Sequence, residues 1–213
     1  MKKIWLPALA LLALGTACSE DEKSDPVTGY ALALKSGPNP GKTQGTVVLN
    51  SAYAVLTEVE LEDDDSNGDD VEIDIEGEFT FDLLTGTSVP ALPLASIPAG
   101  TYEEIEIQLG DDSGNALCLF ANGTRDSVAF EIEVRNEVEF SMEDDVNGIV
   151  ISPNQTTPLT AHMAIADVVD QLDWSSAVAD GDGVVRINAT SNTSMYSDFL
   201  SKLQAEVEID DED

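Results

Sequence analysis

The densest set of potential ligands in the chain is Asp63-Asp64-Asp65-Ser66-Asn67-Gly68-Asp69-Asp70. Asp63, Asp65, Asn67 and Gly68 fall at the first, third, fifth and sixth places of a calcium loop; Asp69 follows, and Asp74 falls at the twelfth. Calcium takes about six to eight oxygen ligands, and a glycine bend lets alternate carboxylates turn inward around one ion. Three features point elsewhere. The twelfth place is Asp rather than a bidentate Glu, the eighth is Asp70 rather than an aliphatic residue, and the flanks alternate like strands. A solvated hairpin loop has the same composition, so calcium and plain solvation both stay open. Asp180-Gly181-Asp182-Gly183 offers fewer ligands and reads as a turn.

Other reactive residue types are sparse. His162 is the sole histidine, so a Ser-His-Asp arrangement would have to use it, and a zinc site built on several histidines cannot form within one chain. It sits at an even position in a strand whose odd positions, Leu159, Ala161, Met163 and Ile165, read as core. That placement suits an exposed or hydrogen-bonded structural histidine. Pairs of carboxylates at glycosidase separation arise by chance among 42 acidic residues. Phosphate-loop and nucleophile-elbow patterns do not occur. Of the two cysteines, Cys118 sits in Ala-Leu-Cys-Leu-Phe, where a small buried hydrophobe is expected.

Charge narrows the partners. Nine basic residues face 42 acidic ones, a formal net charge of −33, and no Lys or Arg occurs between Thr43 and Thr124. Nucleic acid rewards basic patches, so DNA and RNA are excluded as partners. Direct docking on anionic lipid headgroups is disfavoured for the same reason. Screening by salt should stabilise such a chain, since the Debye length falls to about 3 Å at 1 M salt.

The amino-terminal stretch has the parts of an export signal: Met1-Lys2-Lys3, an apolar run from Ile4 to Leu14, and small residues before Cys18. The run is too short to span a bilayer, which takes about 20 apolar residues, and Pro7 interrupts it. Leu14-Gly15-Thr16-Ala17-Cys18 resembles a bacterial lipoprotein signal, which implies diacylglyceryl modification of Cys18 and loss of residues 1–17. Several acyl chains hold a protein far more firmly than one. Residues 18–28 then read as a polar tether. Ser19 resembles the residue that permits release to the outer membrane, and Glu20-Asp21-Glu22 resembles a surface-export tag. With Cys18 carrying lipid, Cys118 has no disulfide partner.

Downstream of Pro38-Asn39-Pro40-Gly41 the pattern is β-like. From Val47 to Leu61 the odd positions are mostly apolar, and the even ones end in Glu58, Glu60 and Glu62, which predicts a long half-buried strand or two joined at a bend. Further strands are expected at 71–75, 79–83, 105–109, 116–121, 128–134, 137–142, 149–151, 159–165 and 184–189, separated by acidic, glycine-containing turns. Helical spacing appears twice, near 166–173 and near 194–206 with Ser194 as a cap. The expected fold is mainly β: an antiparallel sandwich occupying 29–207 as one domain, with an acidic tail, frayed, at 208–213.

The stretch from Phe81-Asp82-Leu83-Leu84, through Leu92-Pro93-Leu94, to Ile97-Pro98-Ala99-Gly100-Thr101-Tyr102 and the Ile-rich 105–107 resembles a domain of unknown function common in bacterial lipoproteins. That resemblance implies an immunoglobulin- or transthyretin-like sandwich. Pro98 and Gly100 suit a tight entry turn, with Tyr102 pinning the loop. The functional expectation is therefore a lipid-anchored binding or structural module of the cell envelope, on the outer membrane and facing periplasm or cell surface, with no catalytic residues. Its membrane contact would be the lipid on Cys18, and its protein or glycan partner is open. The alternatives are a calcium-dependent surface adhesion component, using Asp63, Asp65, Asn67, Asp69 and Asp74, and, less favoured, a carboxylate-based hydrolase.

Overall fold

The computed structural model describes residues 29–36, 46–63, 71–92, 95–96, 98–110, 116–143 and 148–211. Fourteen strands follow one another among them: β1 (Gly29–Lys35), β2 (Val47–Asp63), β3 (Val71–Asp82), β4 (Thr87–Val89), β5 (Ala95–Ser96), β6 (Gly100–Tyr102), β7 (Glu104–Leu109), β8 (Leu119–Arg125), β9 (Val128–Val134), β10 (Val138–Glu143), β11 (Ile149–Ile151), β12 (Thr156–Met163), β13 (Val185–Ile187) and β14 (Val207–Asp211). Helix α1 (Ile165–Asp170) and a single 3-10 turn (Trp174–Ser176) precede β13, and helix α2 (Thr193–Glu206) precedes β14. The fold is mainly β with two helices, arranged as an open sandwich. Pairing is mostly antiparallel, and two ladders, β1–β12 and β9–β13, are parallel.

The larger sheet has β2 as its spine. β3 lies along one edge of β2, from Tyr53 to Asp63. Along the other edge β8 covers Val47–Ala54 and β7 covers Leu56–Glu62, end to end. β9 and β10 extend this arrangement outward, so a seam crosses the sheet at Thr57, at Gly110 and Cys118, and at Arg135–Glu137. Gly110 holds φ +82°, and a Cβ there would stand 2.6 Å from the Cβ of Cys118, so only glycine fits. The buried Cys118 thiol donates to the carbonyls of Val134 (3.3 Å) and Asn136 (2.9 Å), and Val55 ties the two halves together, donating its amide to the Cys118 carbonyl (2.8 Å) and accepting from the Gly110 amide (2.9 Å). Burial pushes this thiol up to about 11, which suits the small-hydrophobe role read from its apolar neighbours.

Register along β2 departs from simple alternation. Bulges between Leu49 and Ser51 and between Leu56 and Glu58 each insert a residue. An inserted residue reverses which face the following side chains occupy. Ala52, Ala54 and Leu56 are therefore buried in the middle of the strand, and Val59 and Leu61 beyond the second bulge. Tyr53 and Val55, which strict alternation would send inward, lie half-exposed on the outer face.

A second sheet runs β14-β12-β1-β5, and β11 pairs with β6. Leu32, Leu34, Leu159 and Ala161 join Phe81, Phe130, Ile107 and the helical Ile165, Val168, Phe199 and Leu203 in one core. Each large side chain so buried contributes about 1.5–3 kcal/mol of transfer free energy. The carboxy-terminal expectation is corrected: residues 207–211 are a strand, not a frayed tail. They pair with β12 from Met163 to Leu159, and Val207 packs against the core. The cap of α2 is Asn192, not Ser194. It holds a left-handed φ of 47°, and its amide bridges Val178 and the Arg186 carbonyl (2.7 Å). Tyr102 is buried and its hydroxyl donates to the Pro98 carbonyl at 3.0 Å, pinning the entry loop as its sequence suggests.

Candidate functional site

The residues singled out for chemistry disperse across the fold. Cys18 lies outside the described residues, as do Asp65, Asn67 and Asp69. Asp63 and Asp74 end up in the β2–β3 ladder, where Asp63 pairs with Val71 and Asp74 with Glu60. Three ladder steps separate them, about 10 Å along the strand. Among the described residues no group of three or more His, Cys, Asp or Glu side chains is placed to hold a metal ion. His162 sits in β12 with Lys35 and Glu208 as its ladder neighbours.

Asp180 and Asp182 do form a turn, closed by one arginine. Arg186 Nη1 approaches Asp180 Oδ2 at 2.6 Å, and Nη2 approaches Asp182 Oδ2 at 2.8 Å. That contact holds the Asp182 carboxyl down at about 2.

The feature that draws most polar and aromatic side chains together is the outer face of the larger sheet, and the seam divides it. Beyond Thr57, β2 presents Glu58, Glu60 and Glu62, which face Gln108, Glu106 and Glu104 of β7 across the ladder. Glu139 of β10 stands opposite Gln108, and Ser141 opposite Glu106. The Ser141 hydroxyl donates to Glu104. Burial first, then the charges of Glu139, Glu104, Glu62 and Glu58, raises the Glu106 carboxyl above its ordinary value. Like charges directly opposite one another destabilise a ladder.

On the other side the outer face is less acidic: Glu133 and Glu131 of β9 stand opposite Phe120 and Asn122, and Arg135 and Arg186 pair with them. Tyr53 stacks on Phe120 of β8, ring centroids 5.1 Å apart and planes 21° apart. Ser51 donates to the side-chain carbonyl of Asn122 at 3.1 Å. A groove of about 490 Å³ opens beside Tyr53, over β3 and β4, lined among others by Asn50, Thr80, Asp82, Leu84 and Val89. Leu84 and Val89 are 47% and 76% exposed, and both add apolar surface to this groove. Asp82 is held rigid by its own turn, one oxygen accepting from the Leu84 (2.9 Å) and Thr85 (3.2 Å) amides. Desolvation, then nearby Glu133, raises the Tyr53 hydroxyl, so it remains a donor at neutral pH.

Simple alternation hid this site by assigning Tyr53 to the core. The available signal was the Ala52–Ala54 pair: two small residues flanking an aromatic one suit a tightly packed inner row beneath an outward ring.

What these features define is a mainly β, open sandwich with one strongly acidic and one aromatic, amide-rich outer surface. A family model for a domain of unknown function, DUF4382, matches residues 47–192, and the chain belongs to that family. No curated protein matches the chain, and no solved structure does. Among the described residues no helix is long and apolar enough to cross a membrane.

Proposed function

We propose that this chain is a binding module of the bacterial cell envelope, attached by lipid on Cys18 and carried on the tether 18–28. The observation that carries the binding role is the half-exposed Tyr53–Phe120 stack beside a groove of about 490 Å³. Concave sites with an aromatic surface and a few convergent polar groups are the usual form of ligand sites. The groove pairs no nucleophile with a base: Ser51 donates to an amide. The anchoring half rests on the leader and Cys18, and on a net charge of −33 that makes lipid a better membrane contact than the protein surface.

Intact mass spectrometry of the chain from membranes, with protease shaving of whole cells, tests the anchoring. The expected result is a diacylglyceryl-modified Cys18 at the new amino terminus, with membrane retention lost in Cys18→Ala. An unmodified Cys18, or cleavage elsewhere, overturns it.

A further inference from the structure

We propose that the groove beside Tyr53 binds a neutral oligosaccharide; this rests on the binding-module reading and names the ligand class of that same surface. The register places Phe120, Tyr53 and Asp82 side by side across β8, β2 and β3. Phe120 therefore covers one face of the Tyr53 ring, while the groove lies on the β3 side. An upright ring with one face occupied and one open is a wall against which a flat, apolar surface can stack. Leu84 and Val89 supply further exposed apolar surface in the same groove.

Polar groups surround that wall without internal commitments. The Thr80 hydroxyl, the Asn50 amide and the Tyr53 hydroxyl have no hydrogen-bond partner among the described residues. Asp82 uses one oxygen on its turn and keeps the other. A ligand must thus offer one apolar face and an edge of both donors and acceptors. A pyranose ring has this shape, with C–H bonds on its faces and hydroxyls on its rim.

Charge selects the neutral member of that class. The net charge of −33 repels polyanions such as sulfated or uronic-acid glycans. Asp82 is the one carboxylate among the residues lining the groove, whereas Glu58, Glu60, Glu62, Glu104, Glu106 and Glu139 crowd the sheet across the seam. A cationic guest would be drawn there instead. The groove is the part of the face where hydroxyls and amides outnumber charges.

The test applies the full chain in detergent to an array of neutral oligosaccharides of glucose, mannose, galactose and xylose, with sialylated and sulfated glycans beside them. An array of apolar and of lysine-rich peptides runs in parallel. The wild type is expected to be retained on at least one neutral class and on no anionic one. Tyr53→Ala and, as a shape-conserving second variant, Thr80→Val should each weaken that retention about tenfold in protein that stays folded, with the melting temperature lowered only in Tyr53→Ala, which also loses the stack on Phe120. Glu139→Gln, across the seam, should leave it unchanged. If the wild type is retained only on peptides, and Tyr53→Ala abolishes this, the sugar assignment fails while the binding module stands. If neither array retains the folded wild type, both fail. Retention on a neutral glycan that neither Tyr53→Ala nor Thr80→Val weakens overturns the groove as its site.

Discussion

The two sides of the seam share one sheet and differ in almost everything they show to solvent. Directly beneath the Tyr53–Phe120 stack β2 and β8 carry small inner residues, Ala52, Ala54, Ala121 and Gly123, set between the large Phe81 of β3 and Phe130 and Ile132 of β9; beyond Thr57 the inner row is large throughout, with Val59, Leu61, Ile105, Ile107 and Phe140. The outer surfaces invert this, aromatic over the small row and carboxylate over the large one. Burial stabilises by roughly 25 cal/mol per Å² of apolar surface, while cross-strand pairs change stability by about 0.2–1 kcal/mol. The aliphatic row therefore outweighs the repulsion above it, and the acidic half can be densely charged without opening. Arginines are divided the same way. Arg125 and Arg186 stand on the Tyr53 side and Arg135 at the seam, paired with Asp170, the Glu131–Asp180–Asp182 set and Glu133 respectively.

The largest test of this division is whether the two sides are energetically separate. Leu56 is fully buried where β2 passes from β8 to β7, opposite Phe79 and Leu109. Leu56→Ala should cost about 2–5 kcal/mol, as large-to-small changes in a packed core do. Because Cys118 and β2 bind the halves together, hydrogen exchange at the Ile107 and Ala121 amides should accelerate in parallel. Loss of protection at one and not the other would make them independent units, and the seam a boundary rather than a crease.

Legibility of the fold depended on whether a strand kept its phase. β9 at 128–134 and β11 at 149–151 have the expected bounds, because Phe130, Ile132 and Val134 alternate without interruption and short Ile-Val-Ile is unambiguous. Both helices lie close to where their spacing put them. β2 was legible as a strand and illegible in phase, since the bulges at Asn50 and Thr57 leave no mark in composition. Beside the Ala52–Ala54 pair, Gly123 is a trace of the first bulge: a Cβ there would meet the Val48 carbonyl oxygen at 2.1 Å. β14 was obscured because Glu208, Asp210 and Asp211 make a pairing strand look like a solvated tail. The groove was obscured twice over, by the phase of Tyr53 and because Asn50 and Tyr53 on β2 are far in the chain from Thr80 and Asp82 on β3 and meet them only through strand pairing.

A medium effect should separate the halves by pH. Glu106 has a folded-state carboxyl raised by burial and by Glu139, Glu104, Glu62 and Glu58. A raised acid binds its proton more readily folded than unfolded, so stability falls as pH rises through that window and is recovered as pH drops towards the ordinary glutamate range. Glu106→Gln should therefore stabilise the chain at pH 7 in low salt by about 0.5 kcal/mol, the scale of one like-charge ladder contact. The gain should vanish below about pH 4, where the wild type is protonated, and in about 1 M salt, where the Debye length is near 3 Å. Across the seam Glu131→Gln should not stabilise, since Glu131 accepts from Arg186 at 3.3 Å. Denaturant unfolding of the two variants over pH 4–8 decides it. A Glu106→Gln variant less stable than wild type at pH 7 would mean the acidic row is held by something other than the aliphatic residues beneath it.

The smallest effect belongs to the turn at Asp182, and it checks the sign from the opposite side. Arg186, with its hydrogen bonds and charge, holds this carboxyl at about 2, below its ordinary 3.8. A depressed acid contributes stability that is present above its unfolded value and is lost as pH falls through about 2. The two halves thus respond to acid in opposite directions, the glutamate row tightening first and the arginine-closed turn loosening last. Because Asp182 is exposed, water and salt screen the pair, and the global stability change should be too small to resolve. The local titration is not. Carbon-detected NMR should show the Asp182 carboxyl still ionised at pH 3, and Asp180→Asn should leave it so, because Arg186 keeps its own contact to Asp182 at 2.8 Å. Arg186→Gln should return the midpoint towards 3.8. A midpoint already at that value in the wild type would remove the turn from the set of charge-compensated sites and leave Arg125 and Arg135 alone to distinguish the less acidic half.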